Sequence, residues 1–135
     1  MGEIKIPEHE FKSRMDKMIA KMEVAELDAV FVYGDEYRKE NLRYVSNFWP
    51  LFERGALLVG KDKEPIVLCA PEGQKVAEEM SVWPDVRVIP DFACVTVPDK
   101  IDFPQANYTS FAEIADHLRS LQKLDRLGIV GMDAM

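Results

Sequence analysis

The chain has 135 residues, 47% of them apolar, with a net charge of −7 and a pI near 4.9. That length buries roughly two thirds of the surface the unfolded chain would expose, enough for one core and not two. The acidic balance excludes nucleic acid as a partner, because phosphate binding needs a clustered basic surface, and no apolar run approaches the ~20 residues that span a bilayer.

Phe11, Met15, Met18 and Met22 recur at helical spacing with charged residues between them, which predicts an amphipathic helix from about Glu8 to Ala25. Ala29 to Tyr33 is continuously apolar, rich in β-branched and aromatic residues, and stops at Gly34-Asp35, as a strand buried on both faces would. The stretch from Asn41 to Gly55 then gathers Tyr44, Phe48, Trp49 and Phe52 around Arg54, just before a second strand, and reads as a ligand-facing edge. Ala56–Val59 and Ile66–Cys69 flank a polar connection with turn residues at both ends, so they form a hairpin and exclude a purely parallel sheet.

Pro71 suits the first turn of a short helix whose inner face is Val76, Ala77 and Met80. Val86 to Ile89 follows as a strand, and Pro90 to Asn107, with no clear period, reads as a long ordered loop crossing the sheet edge. Ser110-Phe111-Ala112-Glu113 has the form of a capping box, opening a second long helix with Phe111, Ile114, Ala115, Leu118 and Leu121 on its apolar side. Phe111, Ile114 and Leu118 are expected either on one core face with Met15, Met18 and Met22 or on the opposite side of the same sheet. Leu127 to Gly131 closes the chain as a last strand. The fold class is α/β: a single domain over residues 1–135, with a mixed β-sheet flanked by helices.

Chemistry is harder to find. His9 and His117, the two histidines, lie on helices among polar neighbours and read as solvent-facing. The carboxylates scatter along polar helix faces, no serine sits in a nucleophile elbow, and neither GxGxxG nor GxxxxGK[ST] occurs. Cys69 and Cys94 lie in apolar stretches without metal spacing and read as packed, reduced thiols. The first residues lack a signal-peptide pattern, so a cytoplasmic location is the default and the sequon at Asn107 carries no meaning. No complete active site and no metal or cofactor is expected in this chain.

The constellation Tyr44, Phe48, Trp49, Phe52 and Arg54 has two readings. One is core packing plus a surface arginine paired with a carboxylate. The other is a recognition patch in which rings line a wall and the guanidinium fork takes a carboxylate through two hydrogen bonds. Trp49-Pro50 favours the second, since a tryptophan locked before proline in an extended segment tends to keep its face at the surface of a turn.

In their order and spacing, Phe11-Lys12-Ser13-Arg14-Met15, Leu27-Asp28-Ala29-Val30, Asn41 to Phe48, Ala56-Leu57-Leu58-Val59 and Leu127 to Gly131 resemble the N-terminal domain of the creatinase, prolidase and aminopeptidase P enzymes. The resemblance covers almost the whole chain. It implies a ribonuclease-H-like mixed sheet that serves homodimerisation and reaches over the active site of the neighbouring subunit. Catalysis would belong to a C-terminal pita-bread domain absent from these residues, which in the peptidases holds two divalent metals; creatinase hydrolyses without metal. Substrates in such a parent would be proline-containing peptides or small guanidino or carboxylate compounds.

Creatinase binds the carboxylate side of its substrate with a phenylalanine and an arginine two residues later, after a Tyr-x-Ser-x-Phe segment. Here Tyr44-Val45-Ser46-Asn47-Phe48 precedes Phe52-Glu53-Arg54, so the resemblance places substrate contact on Phe52 and Arg54, with Trp49 beside them; Glu53 departs from the pattern and counts against creatine itself. The rival expectation is a protein-binding module of a catalytically inactive pita-bread relative, as in histone-chaperone subunits, and a third is a freestanding regulatory domain.

Overall fold

The computed structural model describes residues 5–50, 53–62, 64–93 and 107–131. Among the described residues nine regular elements follow one another: α1 (Glu8–Val24), β1 (Ala29–Gly34), α2 (Glu40–Ser46), β2 (Gly55–Val59), β3 (Ile66–Cys69), α3 (Gln74–Met80), β4 (Val86–Val88), α4 (Phe111–Leu121) and β5 (Leu127–Val130). Single 3-10 turns at Pro71–Gly73 and Pro90–Phe92 punctuate them. The strands form one mixed sheet in the order β4-β3-β2-β1-β5, antiparallel across β1/β2 and β2/β3 and parallel across β1/β5 and β3/β4.

Strand alternation sorts the core into two layers. Val30 and Val32 of β1, Leu57 and Val59 of β2, and Val67 and Cys69 of β3 meet Phe11, Met15, Ile19 and Met22 of α1, Leu42 and Val45 of α2 and Ala77 of α3. On the other face Ala29, Ala56, Leu58, Ile66 and Leu68 meet Ile114 and Leu118 of α4, with Phe92. Of the two expected placements for the second long helix, the structure adopts the one across the sheet from the methionine stripe.

Several details differ from the sequence expectation. The α1 stripe is completed by Ile19, and Met18 is only partly buried. Ala77 is the buried residue of α3, while Val76 and Met80 are half-buried. The Ser110 hydroxyl accepts the Glu113 amide at 3.2 Å, but the Glu113 carboxylate takes the Thr109 hydroxyl at 3.3 Å. Phe111 remains 45% exposed although its ring stacks edge-on with Phe31 and Phe92. Of the long segment from Pro90, residues 94–106 lie outside the described residues; at its end Tyr108 bridges Val88 in parallel, and Asn107 donates its side-chain amide to the Val86 carbonyl at 3.0 Å.

One residue ties the ends of the fold together. The Asp28 carboxylate, buried just before β1, accepts the amides of Asp125 at 2.7 Å and Arg126 at 2.9 Å as the chain enters β5. Gln122, at the end of α4, donates to the Asp28 carbonyl at 2.6 Å and accepts the Lys61 amide of the hairpin turn at 2.8 Å. Those two amides hold the Asp28 carboxyl below its ordinary range; burial opposes them, and the charges of Lys123 and Lys61 assist.

β5 itself is unlike its neighbours. Among the described residues it pairs with β1 alone and leaves Leu127 49%, Ile129 58% and Val130 39% exposed. Its two sides are therefore uncovered where β2 and β3 are covered.

Two measurements test this architecture. Leu118, packed over Gly60, whose added Cβ would sit 2.9 Å from its Cδ1, cannot be truncated without leaving a void. Leu118→Ala is expected to cost about 2–5 kcal/mol of unfolding free energy in urea; an unchanged curve would refute the α4 packing. Because the folded Asp28 value lies below the unfolded one of about 4, its contribution is present above that pH and disappears as pH falls through the folded value. Asp28→Asn should therefore unfold more easily at pH 7, and its stability should approach the wild type's as pH falls below 4; a constant difference down to pH 2.5 would contradict this.

Candidate substrate-facing ledge

The segment between β1 and β2 is not an extended edge throughout. Residues 40–46 form the helix α2, which buries Leu42 and Val45. It stops at Asn47, whose φ of 62° is left-handed, a conformation asparagine tolerates better than most residues. Ser46, fully buried, donates its hydroxyl to the Leu42 carbonyl at 2.7 Å and accepts the Phe48 amide at 3.1 Å.

Three further bonds come from residues far along the chain. Asn47 donates its side-chain amide to the Met80 carbonyl at 3.1 Å, the Val82 amide donates to the Ser46 carbonyl at 3.0 Å, and the Trp83 indole N–H donates to the Val45 carbonyl at 2.8 Å. Carbonyls that a helix leaves open at its end are thereby satisfied. Phe48 and Pro50 can then drop fully into the core.

The aromatic residues left near the surface have cationic partners within the chain. The Arg14 guanidinium lies 4.0 Å over the exposed Tyr44 ring and donates to the Tyr44 carbonyl at 2.8 Å. Arg43 sits 4.5 Å over the ring of half-buried Trp49. Part of the cluster is therefore intramolecular cation–π packing, which sequence spacing does not reveal because Arg14 is thirty residues from Tyr44.

At the start of β2 the chain splits its charges. Glu53 is buried against the 3-10 turn, its Oε1 3.0 Å from where a Cβ on Gly73 would stand. Arg54 is exposed, its amide held by the Phe92 carbonyl at 3.1 Å, and it makes no ion pair among the described residues. Phe52, the other residue assigned to substrate contact, lies outside the described residues.

Sequence reasoning missed the neighbours of Arg54. The pairing Gly34↔Gly55, continued by one residue, sets Asp35 across from Arg54. Asp35 accepts the Tyr33 hydroxyl at 3.1 Å on one oxygen and the amides of Tyr37 and Arg38, both at 2.9 Å, on the other. Burial raises the Tyr33 phenol above its ordinary value, reinforced by its bond to Asp35 and the Asp35 charge; Arg54 and Arg38 oppose the rise. The signal available was Tyr33-Gly34-Asp35 itself, a polar turn directly after a buried strand.

Among the described residues the remaining candidate nucleophile is Cys69, which is buried. Burial pushes the Cys69 thiol up to about 12, with Glu78, Glu53 and Glu72 adding to the effect, so it is neutral at physiological pH. Cys94 lies outside the described residues. His9 and His117 are exposed on α1 and α4, on opposite sides of the sheet. Among the described residues no three His, Cys, Asp or Glu side chains converge, so these residues do not fit a dimetal centre. No helix among them is long and apolar enough to cross a membrane.

Comparison with solved structures places the fold. Prolidase from Pyrococcus furiosus matches with a TM-score of 0.52 and 21% identity over 88% of this chain and 28% of its own. Prolidase from Pyrococcus horikoshii matches at 0.54 and 18% over 91% and 26%. The aminopeptidase P from Streptococcus thermophilus matches at 0.51 and 19%, covering 90% of this chain and 92% of that one. The chain thus spans about a quarter of the length of the two archaeal prolidases. No curated protein sequence matches it. The family model described as the Creatinase/Prolidase N-terminal domain matches residues 14–134, and the chain belongs to that family.

Proposed function

We propose that this domain is the non-catalytic N-terminal part of a Xaa-Pro peptidase or creatinase-type hydrolase, where it pairs subunits and gates the active site of its partner. The observation that carries the proposal is Arg54: exposed, without an ion pair among the described residues, its backbone pinned to Phe92 while adjacent Glu53 is buried. A guanidinium whose backbone is held and which makes no ion pair among the described residues suits two parallel hydrogen bonds to a carboxylate brought from outside the domain. Phe52, outside the described residues, and Trp49 are assigned to the same substrate contact through the resemblance to creatinase.

The fold relatives include prolidases and an aminopeptidase P, which supports proline-containing peptides as the substrate class. Chemistry is assigned to a catalytic domain outside these 135 residues, a reading supported by the two prolidases, of whose length the chain covers only 28% and 26%. The buried free thiol of Cys69 accords with a cytoplasmic setting.

In the hydrolase that carries this domain, Arg54→Ala is expected to lower kcat/KM roughly ten- to hundredfold, the equivalent of losing a charge-assisted contact of about 1.5–3 kcal/mol. Arg54→Lys should fall between, because one ammonium cannot reproduce the fork. Melting temperature should stay constant, since an exposed arginine contributes little to stability. Mixing the Arg54→Ala subunit with a subunit inactivated in its catalytic domain should restore partial activity in heterodimers. Wild-type kinetics for Arg54→Ala, or no rescue in confirmed heterodimers, would overturn the reading.

A further inference from the structure

The turn after β1 holds a carboxylate that the role given to Arg54 does not use. In the β1/β2 ladder Tyr33 stands across from Ala56 and Gly34 across from Gly55. Side chains alternate along a strand. Gly34 and Gly55 open toward Leu42 and Phe48 in the α1 layer, while Ala56 belongs to the α4 layer. One residue further along each strand, Asp35 and Arg54 therefore fall on the α4 side with the Tyr33 ring, where directly opposed side chains have Cβ atoms about 4.5–5.5 Å apart.

Three donors hold the Asp35 carboxylate. One oxygen accepts the Tyr33 hydroxyl at 3.1 Å and the other the amides of Tyr37 and Arg38, both at 2.9 Å, while the Asp35 amide donates to the Arg38 carbonyl at 3.1 Å. Tyr33 is only 4% exposed, so the group that fixes the carboxylate is itself fixed by the core. The Arg54 charge reaches the same place: burial and then Asp35 raise the Tyr33 phenol, and Arg54 leads the charges that oppose the rise. No ion pair joins Asp35 to Arg54, so the two attract across a short gap rather than in contact.

We propose that Asp35 is a positioning residue for Arg54, a fixed negative charge that draws the guanidinium over the end of β1 and aims its outer N–H groups at an incoming carboxylate. This rests on the substrate contact proposed for Arg54 and adds the residue that orients it. Two effects of opposite sign compete. As a bare charge Asp35 repels an anionic substrate, and removing it would tighten binding; as an anchor it restricts a long side chain, and removing it would weaken binding. The anchor prevails because a side chain ordered beforehand loses less freedom on binding, whereas repulsion from a half-buried carboxylate already engaged by three donors is screened by solvent.

In the hydrolase that carries this domain, Asp35→Asn separates the two effects. The new side-chain oxygen can still accept the Tyr37 and Arg38 amides and its NH2 group can donate to the Tyr33 oxygen, so the turn survives and the charge alone is lost. With a proline dipeptide as substrate, kcat/KM is expected to fall about two- to fivefold, through a raised KM at unchanged kcat. The C-terminal amide of the same dipeptide, turned over or read as a competitive inhibitor, offers no carboxylate and should show no such loss. In an Arg54→Ala background Asp35→Asn should add nothing, and Tyr33→Phe, which frees one carboxylate oxygen, should act in the same direction but more weakly. An unchanged or lowered KM for the dipeptide, an equal loss on dipeptide and amide, or a loss that persists without Arg54 would overturn the positioning role and leave the substrate contact of Arg54 standing. Arg54→Ala with wild-type kinetics, or a wild-type enzyme that does not cleave the dipeptide, would instead remove the reading beneath it.

Discussion

The presentation of the ledge depends on one hydrogen bond, from the Trp83 indole to the Val45 carbonyl. α2 has seven residues, too few to hold together from propensity alone. Trp83 approaches it from the segment joining α3 to β4, sits in the same core layer as Leu42 and Val45, and uses its single polar atom on the carbonyl the helix leaves open. With that end closed by Trp83, Val82 and Asn47, the chain turns at Asn47 and buries Phe48 and Pro50; at the start of β2 Glu53 is buried and Arg54 exposed.

A second constraint governs the opposite edge. Asp28 and Gln122 draw together the entries of β1 and β5, the end of α4 and the β2–β3 turn, so β5 is placed by polar bonds at its start more than by burial along its length. This explains how an apolar strand can be well positioned while three of its side chains remain exposed. Among the described residues the sheet is thus covered on both faces at its centre, while Leu127, Ile129 and Val130 of β5 remain exposed.

Much of this was legible in the residues. The helical stripe from Phe11 to Met22, the apolar run at Ala29 and the turn residues between Val59 and Ile66 each carry a local period, and each formed the expected element. α2 was not legible, because only Leu42 and Val45 mark its buried side and its remaining support comes from residues near position 80. Ser46 looks polar in sequence but is buried, satisfied by its own backbone neighbourhood. Leu127 to Val130 formed the expected last strand, although Leu127, Ile129 and Val130 are exposed among the described residues. The stacking of Arg14 on Tyr44 joins residues that no local rule connects.

Trp83 closes the end of α2, and native-state amide hydrogen exchange on Trp83→Phe tests that dependence most directly. In the wild-type chain the Asn47 and Val82 amides, which donate to Arg43 and Ser46, should exchange only as slowly as global unfolding permits. In the variant those two amides should exchange at least about tenfold faster than global stability requires, as expected when a buried carbonyl loses its partner at a cost of about 1–3 kcal/mol, while the amides of β2 and β3 remain tied to global unfolding. Fast exchange at Asn47 and Val82 already in the wild type, or protection unchanged by the substitution, would contradict the account.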